Sequence, residues 1–177
     1  MRVAIHQPNF FPYYPFFQKM QEVDIFVIMI NCQFEKNNYQ NRFEFQGWNT
    51  MSVNGGIDII ENKKYVNCLN DWDKITTKIN KLKYFNKYVS ESLPIMNILI
   101  IKEIAEHLNI KTKIEIDYPT ELTGTDRLID LCKHFGATEY LSGISGKHYL
   151  QLDKFDGIEV KYQNESTMIK KPIIDFI

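Results

Sequence analysis

The chain contains no apolar run near the ~20 residues that a membrane-spanning helix requires, so no membrane insertion is expected. Its three cysteines, Cys32, Cys68 and Cys132, are odd in number and form no disulfide framework. Such usage suits a reduced, cytoplasmic protein. Neither charge is in excess: 21 Lys and Arg stand against 22 Asp and Glu, a formal net charge of -1, which argues against a nucleic-acid partner. No Cys, His and Asp cluster has the spacing of metal ligands, so no metal is expected. The motifs G-x-S-x-G, G-x-G-x-x-G and G-x-x-x-x-G-K-[ST] are absent. That removes a hydrolase elbow, a dinucleotide fingerprint and a P-loop. The start, Met1 to Ile5, is too short for a secretory apolar region. Arginine is scarce, with only Arg2, Arg42 and Arg127. A planar guanidinium binds carboxylate or phosphate in ways lysine does not, so these three are informative.

What remains is a chain of 177 residues, 44% apolar, without linker, internal repeat or low-complexity segment. One domain over residues 1–177 is expected. Arg2 to Ile5 reads as a strand that Pro8 stops and stiffens, together with Pro12. Pro15 fits the first position of a helix, whose buried face is Phe16, Met20 and Val23. The apolar run Asp24 to Ile30 suits a strand covered on both faces. Trp48–Val53 and Ile57–Ile60 flank Asn54-Gly55-Gly56, a hairpin pattern. One helix is expected over Asp71–Glu91. Another opens at Pro94, with Ile98, Ile101, Ala105 and Leu108 as its stripe. Lys113–Asp117, Glu139–Leu141 and Ile158–Tyr162 read as strands. Between the first two lies a helix capped by Thr123 or Thr125 and stopped at Gly136. Helices alternating with strands predict an α/β, Rossmann-like three-layer sandwich with a mainly parallel sheet.

Four segments carry candidate chemistry. His6-Gln7-Pro8-Asn9 ends the first strand, where a histidine can serve as general base near neutral pH; a backbone-bonded core histidine is the competing account. Gln33, Lys36, Asn41 and Arg42 lie past the second strand, where amides and cations suit hydroxyls or phosphates; a solvated loop would look the same. Thr125 and Arg127 open a helix, whose free N–H groups attract anions; plain capping, with Arg127 paired to Asp126 or Asp130, is somewhat favoured. Ser142, Gly143, Gly146, His148 and Tyr149 form a Ser/Gly turn that lets backbone approach a ligand closely. Cys32 reads as a small buried residue rather than a nucleophile. His107 and His134 read as surface residues. The shared placement of these segments at strand ends is the stronger signal, because ligands of open α/β sheets sit at that edge.

The set A-I-H-Q-P-N-F-F-P at Ala4–Pro12, V-D-I-F-V at Val23–Val27, C-Q-F-E-K at Cys32–Lys36 and Q-N-R at Gln40–Arg42 resembles the WbqC-like family. So do Thr125–Gly143 and G-K-H-Y-L at Gly146–Leu150, and the resemblance covers nearly the whole chain. It implies a role in bacterial O-antigen or other surface-polysaccharide assembly. The reaction implied is transfer of an acyl or aminoacyl group to the amine of a nucleotide-linked amino sugar. His6 would be the base. Arg42, Lys36 and the Ser142–Gly146 turn would hold phosphates, and Gln7, Gln33 and Asn41 would read hydroxyls or polarise the acyl carbonyl. Thr125 and Arg127 would take the donor's anionic part. The implied partners are that sugar and an activated donor, acyl-CoA or aminoacyl, as co-substrate, with no bound cofactor; a homodimer is left open. Family members often carry an acidic pair where this chain has Ile30-Asn31, which modestly favours a non-catalytic sugar-nucleotide-binding subunit. The opening's layout also resembles nucleotidylyltransferases of the H-x-G-H type, although that pair is missing. It leaves a nucleotidylyl- or adenylyl-forming transferase as the alternative enzyme.

Overall fold

The computed structural model describes residues 1–177. Five strands form the central sheet: β1 (Arg2–His6), β2 (Ile25–Ile28), β5 (Lys113–Ile116), β6 (Glu139–Ser142) and β7 (Glu159–Tyr162). Their order is β5-β2-β1-β6-β7, and all four pairings are parallel. The four helices are α1 (Tyr14–Gln21), α2 (Cys68–Lys78), α3 (Leu93–His107) and α4 (Gly124–His134). The expected α/β class is therefore found, with an entirely parallel sheet.

Alternation along the strands builds the three layers, because successive side chains point to opposite faces. Ala4, Phe26 and Ile28 join Phe16, Phe17 and Met20 of α1 and the apolar stripe of α3 in one core. Val3, Ile5, Ile25 and Val27 join Leu128, Leu131 and Cys132 of α4 in the other. Both strands are buried on both faces, which is why Asp24–Ile30 reads as an unbroken apolar run. The stop of α4 also holds: Gly136 takes φ 68°, and Ala137 N–H donates back to Cys132 O.

Three expectations are corrected. The hairpin is not at Asn54-Gly55-Gly56 but joins β3 (Arg42–Glu44) to β4 (Trp48–Thr50), and it turns through Gln46 and Gly47 at φ 53° and 95°. The Asn54–Gly56 segment instead wraps the buried ammonium of Lys63, which donates to the carbonyls of Asn54 and Gly56. Val53 accordingly bridges Tyr65, and Ile59 bridges Gln33. The helix expected over Asp71–Glu91 is two pieces: α2 begins at Cys68, and after Ile79 the chain tightens to 3₁₀ turns over Asn80–Tyr88. Thr123 holds the cap position of α4 without a side-chain cap bond, and Thr125 lies inside the helix. No helix is long and apolar enough to cross a membrane.

Candidate functional site

β1 is the first strand in the chain and sits at the centre of the sheet, with β2 on one side and β6 on the other. The chain builds outward from β1 to β2 and β5, then returns to add β6 and β7. A crevice opens at such a reversal, beyond the carboxyl ends of the strands. Here it is a cleft of about 670 Å³, within the range of small-molecule sites. Its walls include His6, Gln7 and Asn9 after β1, Ser142, Gly143 and Ser145 after β6, Gln163 after β7, and Lys19 from α1.

Of the residues singled out from sequence, the cleft collects His6, Gln7, Asn9, Ser142, Gly143 and Tyr149. Gln7 is partly committed: its Oε1 accepts from Gln40, and its Nε2 donates to Cys32 Sγ at 3.5 Å. Asn9 makes no side-chain hydrogen bond and is available to a ligand. Gly146 is buried directly behind Ser142, where a Cβ would fall inside the van der Waals shell of Ser142 Oγ and lie 3.0 Å from Leu150 Cδ1. Gly146→Ala should therefore push Ser142 into the cleft, destabilising the chain by about 1–3 kcal/mol. Chemical denaturation measures this, and an unchanged midpoint would show that the turn adapts freely.

The other residues lie outside the cleft lining. The Gln33 backbone bridges Ile59, and its side chain is exposed, as are those of Lys36 and His148. Asn41 is buried with its Nδ2 on Met51 O at 2.7 Å. Arg42 lies over the Trp48 ring at 4.2 Å and donates to Asn37 O. Thr125 is buried, with its Oγ1 accepting from Gln151 N. Arg127, only 3% exposed, pairs with Asp117 and Asp130 at 3.0 Å each and covers the Tyr118 ring. Of the two pairings considered from sequence, the one to Asp130 is found. Asp117 also accepts from the backbone N–H of Ile30 and from Asn31 N–H and Nδ2. This cluster ties the ends of β2 and β5 to α4.

His6 sits against Phe16, ring to ring at 4.9 Å, with Nδ1 2.9 Å from Gln7 O. That carbonyl only accepts, so Nδ1 carries the proton and Nε2 keeps its lone pair. Burial first, and then the neighbouring Lys19, push the His6 pKa down to about 3, against a favourable effect of the Gln7 carbonyl. His6 is thus a neutral imidazole at pH 7 and a weak proton acceptor.

Lys19 is the residue that sequence reasoning passed over. It is 3% exposed and lines the cleft, and its Nζ touches only a carbonyl, Ile5 O at 3.3 Å, and the face of Phe26 at 5.7 Å. No carboxylate comes within ion-pairing distance of it. Burial lowers its pKa to about 7, so a sizeable fraction is a free amine at neutral pH. Its spacing, three residues after Phe16 and four before Val23, puts Lys19 within the buried face of α1 but does not say which way its head turns. Cys32, by contrast, is pushed up to about 11, chiefly by burial, and is a thiol rather than a nucleophile. Nowhere do three or more His, Cys, Asp or Glu side chains converge as around a metal ion.

The model of the WbqC-like protein family matches residues 7–170. A Mycobacterium tuberculosis protein described as "Uncharacterized protein Rv1507c" is 27% identical over 184 residues, covering 90% of this chain and 80% of that protein. No solved structure matches.

Proposed function

The chain belongs to the WbqC-like protein family, and on that premise we propose that it is a cytoplasmic transferase of surface-polysaccharide assembly. It moves an acyl or aminoacyl group from an activated donor to the amine of a nucleotide-linked amino sugar. The observation that carries this reading is Lys19, a buried amine without a counter-ion, facing a cleft at the switch point of the sheet.

An acceptor amine arrives as an ammonium ion and must lose a proton before it attacks. A base works best when its own pKa lies near the working pH, which Lys19 at about 7 meets. In the proposed step the acceptor nitrogen bonds to the acyl carbon, and the bond from that carbon to the donor's leaving group breaks. Lys19 Nζ takes the proton that frees the amine, the electron pair leaves with that group, and the second proton, lost from nitrogen as the amide forms, goes to the departing thiolate or alkoxide. His6 Nε2, neutral and fixed by Gln7 O, accepts a hydrogen bond from the acceptor and steers its lone pair. Asn9, which lines the cleft without a side-chain partner, would polarise the acyl carbonyl.

The test is a matrix of UDP- and dTDP-linked amino sugars against acyl-CoA and aminoacyl donors, with mass spectrometry of the nucleotide sugar. An acylated product, lost in Lys19→Met, is expected. Thermal-shift binding without product in any combination would instead fit a non-catalytic sugar-nucleotide-binding subunit. Asn31 favours that second reading, because its amide is spent on Asp117 where an acidic pair is usual. Pyrophosphate release from a nucleoside triphosphate would point to the nucleotidylyl alternative.

A further inference from the structure

We propose that Tyr13, Tyr39 and Trp48 form a pyranose-stacking subsite that leads out of the cleft. The inference rests on the transferase reading for its context and deepens it by seating the sugar ring.

Tyr13 and Tyr39 line the cleft, and their ring centroids lie 6.1 Å apart. The row continues from Tyr39 to Trp48 at 5.9 Å. Tyr39 and Trp48 are 41% and 48% exposed. Two exposed aromatic rings adjoining the half-buried Tyr13 are unfavourable unless something covers them. These rings are also held in place. The Arg42 guanidinium packs on Trp48 and is itself bonded to Asn37 O. Trp48 pairs with Glu44 across the β3–β4 hairpin, and Glu44 accepts from the Tyr13 hydroxyl at 3.4 Å. Asn38 Oδ1 accepts from Tyr39 N–H at 2.7 Å. Side chains fixed before binding lose little freedom when a ligand arrives.

The chemistry of the row selects its occupant. The C–H bonds on one face of a pyranose carry partial positive charge and meet the negative face of an aromatic ring. The rings tilt by 56° and 44° to one another, which makes a stepped surface rather than the parallel slot that clamps a flat base. Glu35 lines the cleft beside Tyr39, and Glu44 stands beside Tyr13. Carboxylates accept from sugar hydroxyls and attract an amino sugar's ammonium, but they repel phosphate. The guanidinium in the row, Arg42, faces the Trp48 ring and donates to Asn37 O, leaving its buried Nε without a partner. A sugar ring on Tyr39 therefore enters the same cleft that Lys19 lines.

The chain has two tryptophans, Trp48 and the buried Trp72, so ligand contact with the row is read from Trp48 fluorescence. Chitotriose, a saccharide without a nucleotide, is titrated beside UMP, a nucleotide without an added sugar. Saturable change with chitotriose and none with UMP is expected. Tyr39→Ala should weaken it about tenfold, equal to about 1.4 kcal/mol, and Tyr39→Phe should retain it, with both variants melting as the parent does. A response to UMP alone, no response to either probe, or full affinity in Tyr39→Ala would each overturn the proposal. Saccharide binding without transfer from any donor removes the transferase reading and leaves this one; transfer without a saccharide response does the reverse.

Discussion

Lys19→Met is expected to abolish transfer and at the same time to stabilise the chain. Methionine fills nearly the same volume and needs no partner, whereas the native ammonium is buried against one carbonyl and an aromatic face. The fall in its pKa from 10.5 to about 7, at about 1.4 kcal/mol per pH unit, bounds what the buried charge costs the fold at roughly 5 kcal/mol. Losing the bond to Ile5 O offsets about 1 kcal/mol of that, so a net gain of a few kcal/mol is expected in urea denaturation at pH 7. The sign of the pH dependence follows from proton counts. Between about pH 7 and 10.5 the unfolded chain holds the Lys19 proton and the folded chain has lost it, so native stability rises with pH. Below about pH 7 both states hold it and the penalty is constant. The advantage of Lys19→Met should therefore be full at pH 7 and fade toward pH 10.5. Transfer by the native chain should rise with pH through about 7, as the amine frees its lone pair. One readout needs no substrate: without the Lys19 charge, the His6 imidazole should titrate at higher pH by NMR. A variant that is less stable, or that transfers at the native rate, would remove Lys19 from the role of base.

Parts of this molecule were legible in its sequence and others were not, for physical reasons that differ from element to element. The sheet was readable because β1 and β2 carry continuous apolar runs buried on both faces, and Pro8 ends the first of them. The cleft was readable as a convergence of strand ends, since topology brings the carboxyl ends of parallel strands together whatever the loops do. Lys19 was obscured because a lysine in an apolar stripe ordinarily lays its stem along the surface and keeps its charge in water. Nothing local says that its head turns inward. The β3–β4 hairpin was obscured because Asn54-Gly55-Gly56 carries stronger turn residues than Gln46-Gly47, yet Lys63 uses the first segment's carbonyls as its cage. The phosphate-holding role implied for Lys36, Arg42 and Gly146 assumed that nearness in sequence to a strand end means facing the cleft. Arg42 instead spends its guanidinium on Trp48 and Asn37 O, and Gly146 makes room for Ser142.

Arg127→Ala is expected to cost about 3–5 kcal/mol of stability, the effect of leaving a buried carboxylate without its partner. The Asp117 side chain is wholly buried, and besides Arg127 it holds the N–H groups of Ile30 and Asn31 at the end of β2. Removing the guanidinium leaves that carboxylate buried without its ionic partner, which loosens the junction of β2, β5 and α4. An anchor for a donor's anionic group would behave differently: its truncation would spare the urea midpoint and raise the KM for the donor. The double variant Asp117→Asn with Arg127→Met separates charge from packing. It removes both ions, keeps an amide oxygen for the Ile30 and Asn31 N–H groups, and retains an unbranched side chain over Tyr118. If the single variant's loss comes from an orphaned charge, the double variant should recover most of it, because the coupling between contacting partners is then large. If the double variant is as unstable as Arg127→Ala, the guanidinium acts through its contact with Tyr118 and Asp130 instead. In either case the measurement shows whether one of the chain's three arginines works as a strut beneath the cleft or as a hand within it.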